Sequence, residues 1–205
     1  MRYLLLLCLL FVRPVQAHEA MDLRSYGQES PHTIYVFTSP NCWHCRDYHK
    51  LVWPDLVEKF VNTGKARLFV VDMPVTRAGM DAAKLLRCLP SDKAMKVEGW
   101  IYENQSRWMH APDANKIFLK YAQAVGMNSD EFNKCLADDA LEAAILKQRE
   151  QFAVLYGVRG TPTTILRQGN VVKKYVGVER KAILRGLEEV ISDFEKQKGL
   201  SLKDE

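Results

Sequence analysis

The chain has few cysteines for its length, and this scarcity limits what they do. Five cysteines occur among 205 residues, and one of them, Cys8, lies in an N-terminal apolar run. Small scaffolds held together by disulfides have cysteine contents above about 8–10%. A hydrophobic content of 47% is instead enough to build a core without cross-links. The remaining four cysteines therefore need another explanation.

A large excess of charge of either sign is also lacking. The formal net charge is +4, and it falls to +2 if Arg2 and Arg13 are removed with the first 17 residues. So small an excess predicts neither a nucleic-acid partner nor an anionic membrane surface. The sequence also shows no internal repeat and no low-complexity tract.

The N-terminus has the order of a secretory signal peptide. Met1-Arg2 precedes an apolar run from Tyr3 to Val12, and compact residues follow up to Ala17. The run is shorter than the roughly 20 apolar residues that cross a bilayer. We therefore predict a signal peptide over residues 1–17, with an uncleaved anchor as the alternative. The C-terminal Lys203-Asp204-Glu205 lacks the leucine of an ER-retention signal, so we expect export to a bacterial periplasm.

Hydrophobic periodicity predicts a mixed α/β domain over residues 32–196 with an inserted helical lobe at about 76–138. A mobile polar lead-in over 18–31 and a polar tail over 197–205 flank it. The first half contains a strand, a helix kinked at Pro54 and a second strand: Thr33–Thr38, Cys42 to about Phe60, and Ala66–Asp72. The predicted helices of the lobe are Ala78–Cys88, Asp92–Tyr102, Pro112–Val125 and Ser129–Leu136. A long helix, two strands and a final helix follow: Leu141–Tyr156, Pro162–Leu166, Val171–Val176 and Glu179–Lys196.

The motif Cys42-Trp43-His44-Cys45 stands where the first strand passes into a helix. Haem attachment requires a histidine after the second cysteine, and Arg46 occupies that position. A structural zinc site normally has a second close pair, whereas Cys88 and Cys135 are single. At a helix start, unpaired N–H groups and the helix dipole stabilise a thiolate. This favours a redox centre, with Cys42 exposed to attack and Cys45 shielded, although metal binding stays open.

A second motif, Gly160-Thr161-Pro162-Thr163, places a proline at the first position of a predicted strand. The strand–CxxC–helix unit, this motif and the β-β-α ending together resemble the thioredoxin superfamily. The helical insertion and the expected export resemble its DsbA-type branch of periplasmic oxidoreductases. The resemblance covers about residues 32–195 and implies a thioredoxin fold, a mixed β-sheet flanked by helices.

The resemblance also implies roles for individual residues. Cys42 is expected to be the nucleophile and Cys45 its partner. Pro162 is expected to be a cis-proline facing the disulfide, with Thr161 offering backbone groups to a substrate strand. The family's strong oxidases usually have Pro-His between the cysteines. Here Trp43 replaces the proline, and Trp43 and His44 are expected to tune the redox properties of the pair. A cationic His44 would lower the pKa of Cys42, and for Trp43 the alternative is an exposed ring that merely covers the motif.

The other two cysteines, Cys88 and Cys135, fall in different predicted helices of the lobe. In an oxidising compartment we expect a structural bridge between them, and some DsbA-like proteins carry such a pair. The alternative is two buried free thiols that pack as small apolar groups.

The leading hypothesis is an enzyme, a protein thiol:disulfide oxidoreductase that donates its disulfide to exported proteins with free thiols. By resemblance, a membrane quinone-linked oxidase of DsbB type would reoxidise it, and we expect a monomer without cofactor or metal. An isomerase or reductase of DsbC or DsbG type is the first alternative. Such proteins need an N-terminal dimerisation domain, and only about 15 residues separate the predicted cleavage site from the first strand. A metal carrier without catalytic activity is the second alternative.

Overall fold

The structure, a computed structural model, describes residues 23–201, and over 197–201 it describes only the backbone. The predicted signal peptide over residues 1–17 lies outside these residues, as do positions 202–205 of the predicted tail. Between residues 23 and 201, no helix is sufficiently long and apolar to span a membrane.

A mixed sheet forms the centre of the molecule, as the sequence predicts, but it has five strands rather than the four predicted. The strand order is β1-β3-β2-β4-β5, and only β2 and β3 pair in parallel. The bounds are β1 Arg24–Tyr26, β2 His32–Thr38, β3 Arg67–Asp72, β4 Thr163–Gln168 and β5 Val171–Val176.

The central strand β2 is buried on both faces, which explains its continuous apolar sequence. Successive side chains of a strand point to opposite faces. Ile34 and Val36 enter one core with the helix that follows the motif and the C-terminal helix. Tyr35 and Phe37 enter a second core with Phe152. The strand is therefore held rigidly, and the motif begins just beyond its end.

The helical segments lie on both faces of this sheet and in a lobe between β3 and a long helix. After the motif come α1 Trp43–Leu51, α2 Trp53–Leu56 and a π-helical turn over Val57–Val61. The lobe contains α3 Arg77–Cys88, α4 Ser91–Glu103, α5 Gln105–Met109, α6 Asn115–Ala124 and α7 Ser129–Leu136. The last two helices are α8 Asp139–Tyr156, which ends at Gly157 with φ of 58°, and α9 Arg180–Ser201.

The helix after the motif is broken at Val52 rather than at Pro54. Pro54 lies in the first turn of α2, where a helix does not need the missing N–H. The sequence thus predicted an interruption but misplaced it by two residues. At the other end, the predicted polar tail was wrong for residues 197–201, whose backbone continues α9. The polar residues there include Lys and Gln, which are good helix formers.

The prediction of a mobile lead-in over residues 18–31 was wrong for residues 24–26. These residues form β1, which pairs antiparallel with β3. Arg24 is one of the polar residues of this segment, yet its side chain is only 4% exposed. Its guanidinium donates to Asp72 at 3.0 Å and to Glu98 at 2.6 Å. A buried cation is tolerated here because two carboxylates pair with it.

This buried ion cluster joins the sheet to the lobe. Arg24 and Asp72 belong to β1 and β3, whereas Glu98 lies on α4, and Arg87 of α3 donates to Asp72 at 3.0 Å. Burial alone would raise the pKa of Asp72, but Arg24 and Arg87 outweigh it and bring this pKa below its usual range. The cluster therefore fixes how the lobe sits on the sheet.

A disulfide between Cys88 and Cys135 closes the lobe at the ends of α3 and α7. A separate apolar core lies inside the lobe and includes Leu85, Ile101, Trp108 and Phe118. The lobe is thus held both by a core of its own and by a covalent bridge.

Replacing Arg24 with alanine should lower the free energy of unfolding by about 3–5 kcal/mol, because it leaves buried carboxylates without their cation. Chemical denaturation would measure this loss. Arg185→Ala is the matched control, since Arg185 is 74% exposed and meets Glu189 only at 4.0 Å. A loss no larger for Arg24→Ala than for Arg185→Ala would contradict the role given to the cluster.

Replacing Cys88 and Cys135 together with alanine should destabilise the protein by up to about 4 kcal/mol, because the bridge closes a loop with a sequence separation of 47. The measurement is best made with Cys42 and Cys45 also changed to alanine, so that only this bridge responds to reductant. In that background, dithiothreitol should destabilise the bridged protein and leave the unbridged one unchanged. Equal stability of the two proteins without reductant would refute a stabilising bridge.

Candidate active site

Cys42 is the N-cap residue of α1, immediately beyond the turn that follows β2. Its backbone N–H donates to the Ser39 carbonyl at 3.0 Å, and its sulfur accepts from the Cys45 N–H at 3.4 Å. No residue of the first turn of α1 is acidic. The sulfur therefore meets the positive end of the helix without a competing carboxylate.

The pKa of the Cys42 thiol is lowered well below its usual range, to about 5. The largest cause is a hydrogen bond with the Cys45 thiol, and partial burial opposes it. Thr161 and the backbone N–H groups of Cys45 and His44 lower the pKa further. Each of these groups favours the anion over the neutral thiol. Cys42 is thus a thiolate at neutral pH in the reduced protein.

Cys45 lies one helical turn further in, and its environment is the opposite. The residue has no exposed surface, and the Ser39 N–H is 3.4 Å from its sulfur. Burial raises the pKa of the Cys45 thiol well above its usual range, and the hydrogen bond to Cys42 adds to this rise. Cys42 and Cys45 are both free thiols in this structure.

The fold brings Thr161 and Pro162 to the same place, although they lie far along the chain. The Cys42 sulfur is 3.4 Å from the Thr161 carbonyl oxygen, and the peptide bond between Thr161 and Pro162 is cis. Pro162 is buried and directly precedes β4. Because it lies outside the strand, its lack of an N–H costs the sheet no hydrogen bond. Thr161 therefore borders the attackable sulfur, although it lies 119 positions along the chain from Cys42.

Trp43 and His44, the two residues between the cysteines, are both exposed. The Trp43 side chain is 42% exposed, and the Arg46 guanidinium lies 5.0 Å from the centre of its ring. His44 acts on Cys42 through its backbone N–H. The two side chains thus form the outer surface of the motif.

Sequence reasoning missed Gln105, which clamps the turn before the motif. This side chain has no exposed surface, and its amide nitrogen donates to the carbonyls of Pro40 at 2.7 Å and Cys42 at 2.9 Å. It belongs to α5, a five-residue helix without a clear periodic pattern. No signal in the sequence pairs Gln105 with a motif more than 60 residues away.

A second contact that sequence reasoning missed ties the same turn to the start of α3. The Asn41 amide donates to the Thr76 hydroxyl at 2.6 Å, and Thr76 also accepts from the Gly79 N–H. A Cβ at Gly79 would lie 1.7 Å from the Asn41 side-chain oxygen. A side chain at position 79 would therefore displace the Asn41 side chain from its contact with Thr76.

Among the described residues, no group of three or more His, Cys, Asp or Glu side chains is placed to hold a metal ion. Cys88 and Cys135 are joined to each other rather than to the motif. The structure thus places Cys42, Cys45, Thr161 and Pro162 at one site and leaves the other cysteine pair in the lobe.

A family model described as thioredoxin matches residues 22–183. A candidate protein-disulfide oxidoreductase of Rickettsia conorii is 25% identical over 165 residues, which cover 80% of this chain and 60% of the relative. A similarly named Rickettsia prowazekii protein is 26% identical over 139 residues, which cover 67% of this chain and 51% of the relative. The chain thus spans about half to three fifths of the length of these curated relatives.

Two solved structures share the fold. Wolbachia pipientis alpha-DsbA1 superposes with a TM-score of 0.76 at 19% identity, covering 84% of this chain and 92% of that one. Chlamydia trachomatis DsbA superposes with a TM-score of 0.67 at 22% identity, and the match covers 88% of this chain and 93% of that one. With the family match over most of its length, the chain belongs to the thioredoxin family.

Proposed function

We propose that this protein is a thiol:disulfide oxidoreductase that introduces disulfides into folding proteins through Cys42 and Cys45. The single observation that carries the proposal is the unequal environment of the two sulfurs. Cys42 stands partly exposed at a helix start as a thiolate, whereas Cys45 is fully buried and protonated. Attack on a disulfide between them therefore falls on Cys42 and releases Cys45.

The reaction consists of two exchanges. A substrate thiolate attacks the Cys42 sulfur of the oxidised protein, and the bond to Cys45 breaks, with its electron pair and a proton going to Cys45. A second substrate thiolate then attacks the substrate sulfur of this mixed disulfide and expels Cys42 as a thiolate. The substrate gains a disulfide and the protein becomes a dithiol. Thr161 and Pro162 border Cys42, where they are positioned to hold the substrate segment.

The stabilised Cys42 thiolate also favours the oxidising direction. Anything that stabilises the reduced form makes the disulfide a stronger oxidant. The reduction potential should therefore lie closer to about −120 mV than to about −270 mV, the values typical of DsbA and thioredoxin. The proposal is tested against two alternatives: a reductase or isomerase, and a metal carrier without catalytic activity.

The proposal places the protein outside the cytoplasm, most simply in a bacterial periplasm. The basic start, apolar run and Ala17 of the N-terminus support cleavage of residues 1–17. Its partners would be exported proteins with free thiols and a membrane quinone-linked reoxidase of DsbB type, which returns Cys42 and Cys45 to the disulfide. We propose that the protein acts as a monomer.

The alkylation rate of the reduced protein should follow the ionisation of Cys42. Because its pKa is lowered to about 5, the rate with iodoacetamide should rise tenfold per pH unit below about pH 5 and reach a plateau above it. The folded reduced protein is correspondingly stabilised at neutral pH and loses this contribution as the pH falls through about 5. Cys42→Ser should remove the reaction. An apparent pKa of 7 or above would contradict the assignment.

The oxidised protein should restore activity to reduced, unfolded ribonuclease, with one substrate disulfide formed per protein molecule. Cys42→Ser should abolish this transfer, because the attacked sulfur is gone. The matched control is the double variant Cys88→Ala and Cys135→Ala, which should retain it. Faster insulin reduction than ribonuclease oxidation would favour a reductase. Stoichiometric zinc or copper after purification under reducing conditions would favour the carrier.

A further inference from the structure

The buried Cys45 thiol must exchange a proton with its surroundings whenever the proposed function turns over. In the dithiol protein, Cys45 has to lose its proton before its sulfur can attack a mixed disulfide on Cys42. In the opposite direction it leaves as a thiolate and has to gain one. The residue has no exposed surface, so bulk water does not reach it directly. Protein groups in contact with the sulfur must therefore carry the proton.

A pair of hydroxyl groups stands between Cys45 and the helical lobe. Thr38 ends β2, next to Ser39, whose N–H lies 3.4 Å from the Cys45 sulfur. The Thr38 side chain is among the groups that favour the Cys45 thiolate and so lower the pKa of this thiol. Its hydroxyl lies 2.7 Å from the Tyr102 hydroxyl, and either of the two can be the donor. Thr38 and Tyr102 are 0% and 2% exposed. Such a pair can pass a proton in either direction.

Tyr102 also borders a cleft at the protein surface. Its ring stacks on His49 with 3.7 Å between ring centres, and His49 stacks in turn on Trp53 at 4.4 Å. Tyr102 forms part of the wall of a cleft of about 680 Å³ between α1 and α4, whose rim carries the exposed Lys50 and Glu103. Tyr102 is thus fixed by its stacking on His49 and by its hydrogen bond with Thr38, and it lies beside the cleft.

We propose that Thr38 and Tyr102 form a proton relay between Cys45 and water in this cleft. Cys45 gives its proton to the Thr38 oxygen while the Thr38 proton moves to the Tyr102 oxygen. Tyr102 in turn releases its proton to water, which leaves both hydroxyls neutral and Cys45 as the thiolate that attacks Cys42. Uptake of a proton by Cys45 follows the same path in reverse. Thr38 directly precedes Ser39, whose N–H faces the Cys45 sulfur at 3.4 Å, and Tyr102 acts through Thr38 as a positioning residue.

The charged and titratable groups around Tyr102 do not offer an equivalent path. His49 meets Tyr102 by ring stacking, and burial followed by the nearby Arg24 lowers its pKa. Glu98 is engaged by Arg24 at 2.6 Å and by the Tyr26 hydroxyl at 2.9 Å. Burial raises the pKa of Tyr102, with the proximity of Cys45 and Glu98 adding to it. Tyr102 therefore transfers a proton by exchange rather than by ionising.

The relay predicts a defect confined to one of two measurable steps. When the reduced protein reacts with oxidised glutathione, Cys42 first forms a mixed disulfide and releases one glutathione thiolate. Cys45 then loses its proton, attacks Cys42 and releases the second. Acid quenching and mass spectrometry at successive times resolve the two steps. Step one needs the Cys42 thiolate alone, and only step two needs deprotonation of Cys45.

In Tyr102→Phe and Thr38→Val, step two should slow by about 10- to 100-fold, at or below the usual contribution of a positioned proton-transfer group. Step one and the pH profile of Cys42 should be unchanged, so the mixed disulfide accumulates. Thr38→Ser, which keeps the hydroxyl, should restore step two. In the natural protein, heavy water should slow step two more than it slows step one.

Tyr48→Phe is the matched control. Tyr48 is fully buried, and its hydroxyl lies 2.8 Å from that of Thr164, so this change removes another buried tyrosine–threonine pair beside α1. It should leave step two at the natural rate. An equal slowing in Tyr48→Phe would overturn the relay, because the effect would then come from general loss of packing.

Two further outcomes would also overturn it. Normal step-two rates in both Tyr102→Phe and Thr38→Val would show that the proton takes another path. A slow step two in Thr38→Val alone would show that Thr38 acts without Tyr102. These results differ from failure of the proposed function, in which the natural protein itself would not complete step one.

Discussion

The two sulfur atoms of the motif belong to one helical turn, yet the fold places one at the mouth of a helix and the other inside the core. A helix start provides unpaired N–H groups and a positive dipole, which stabilise an anion. A position one turn further along faces the sheet, where burial penalises the same charge. The opposite acidities of Cys42 and Cys45 follow from this geometry together with the hydrogen bond between the two sulfurs, which is the largest cause of the lowered Cys42 pKa. Any change in where α1 begins relative to β2 would alter both.

The position of α1 depends in turn on the lobe. The turn between β2 and α1 is fastened by Gln105 from α5, which holds the Pro40 and Cys42 carbonyls. Asn41 closes against Gly79 at the start of α3. The lobe is itself anchored to the sheet through Arg24 and Glu98. The lobe therefore does more than cover the thioredoxin core, because it supplies side chains that hold the turn before the motif in place.

Local patterns account for most of the fold and for the position of the motif. The strand at Val171–Val176 and the helix at Ser129–Leu136 match their predicted bounds, because turn and capping residues border each of them. Strand β1 escaped notice because three residues are too few to show alternation. Contacts such as Thr38 with Tyr102 join residues 64 positions apart. No periodicity encodes them, since they depend on how the lobe packs on the sheet.

The contacts that lower the pKa of Cys42 do not depend on which side chains stand between the two cysteines. The principal causes are the Cys45 thiol, Thr161 and backbone N–H groups, and neither the Trp43 ring nor the His44 imidazole is among them. Backbone groups are present whatever side chain they carry. Replacing the proline that the family's strong oxidases usually have with Trp43 therefore leaves these stabilising contacts in place. The Trp43 and His44 side chains instead form the exposed surface beside Cys42.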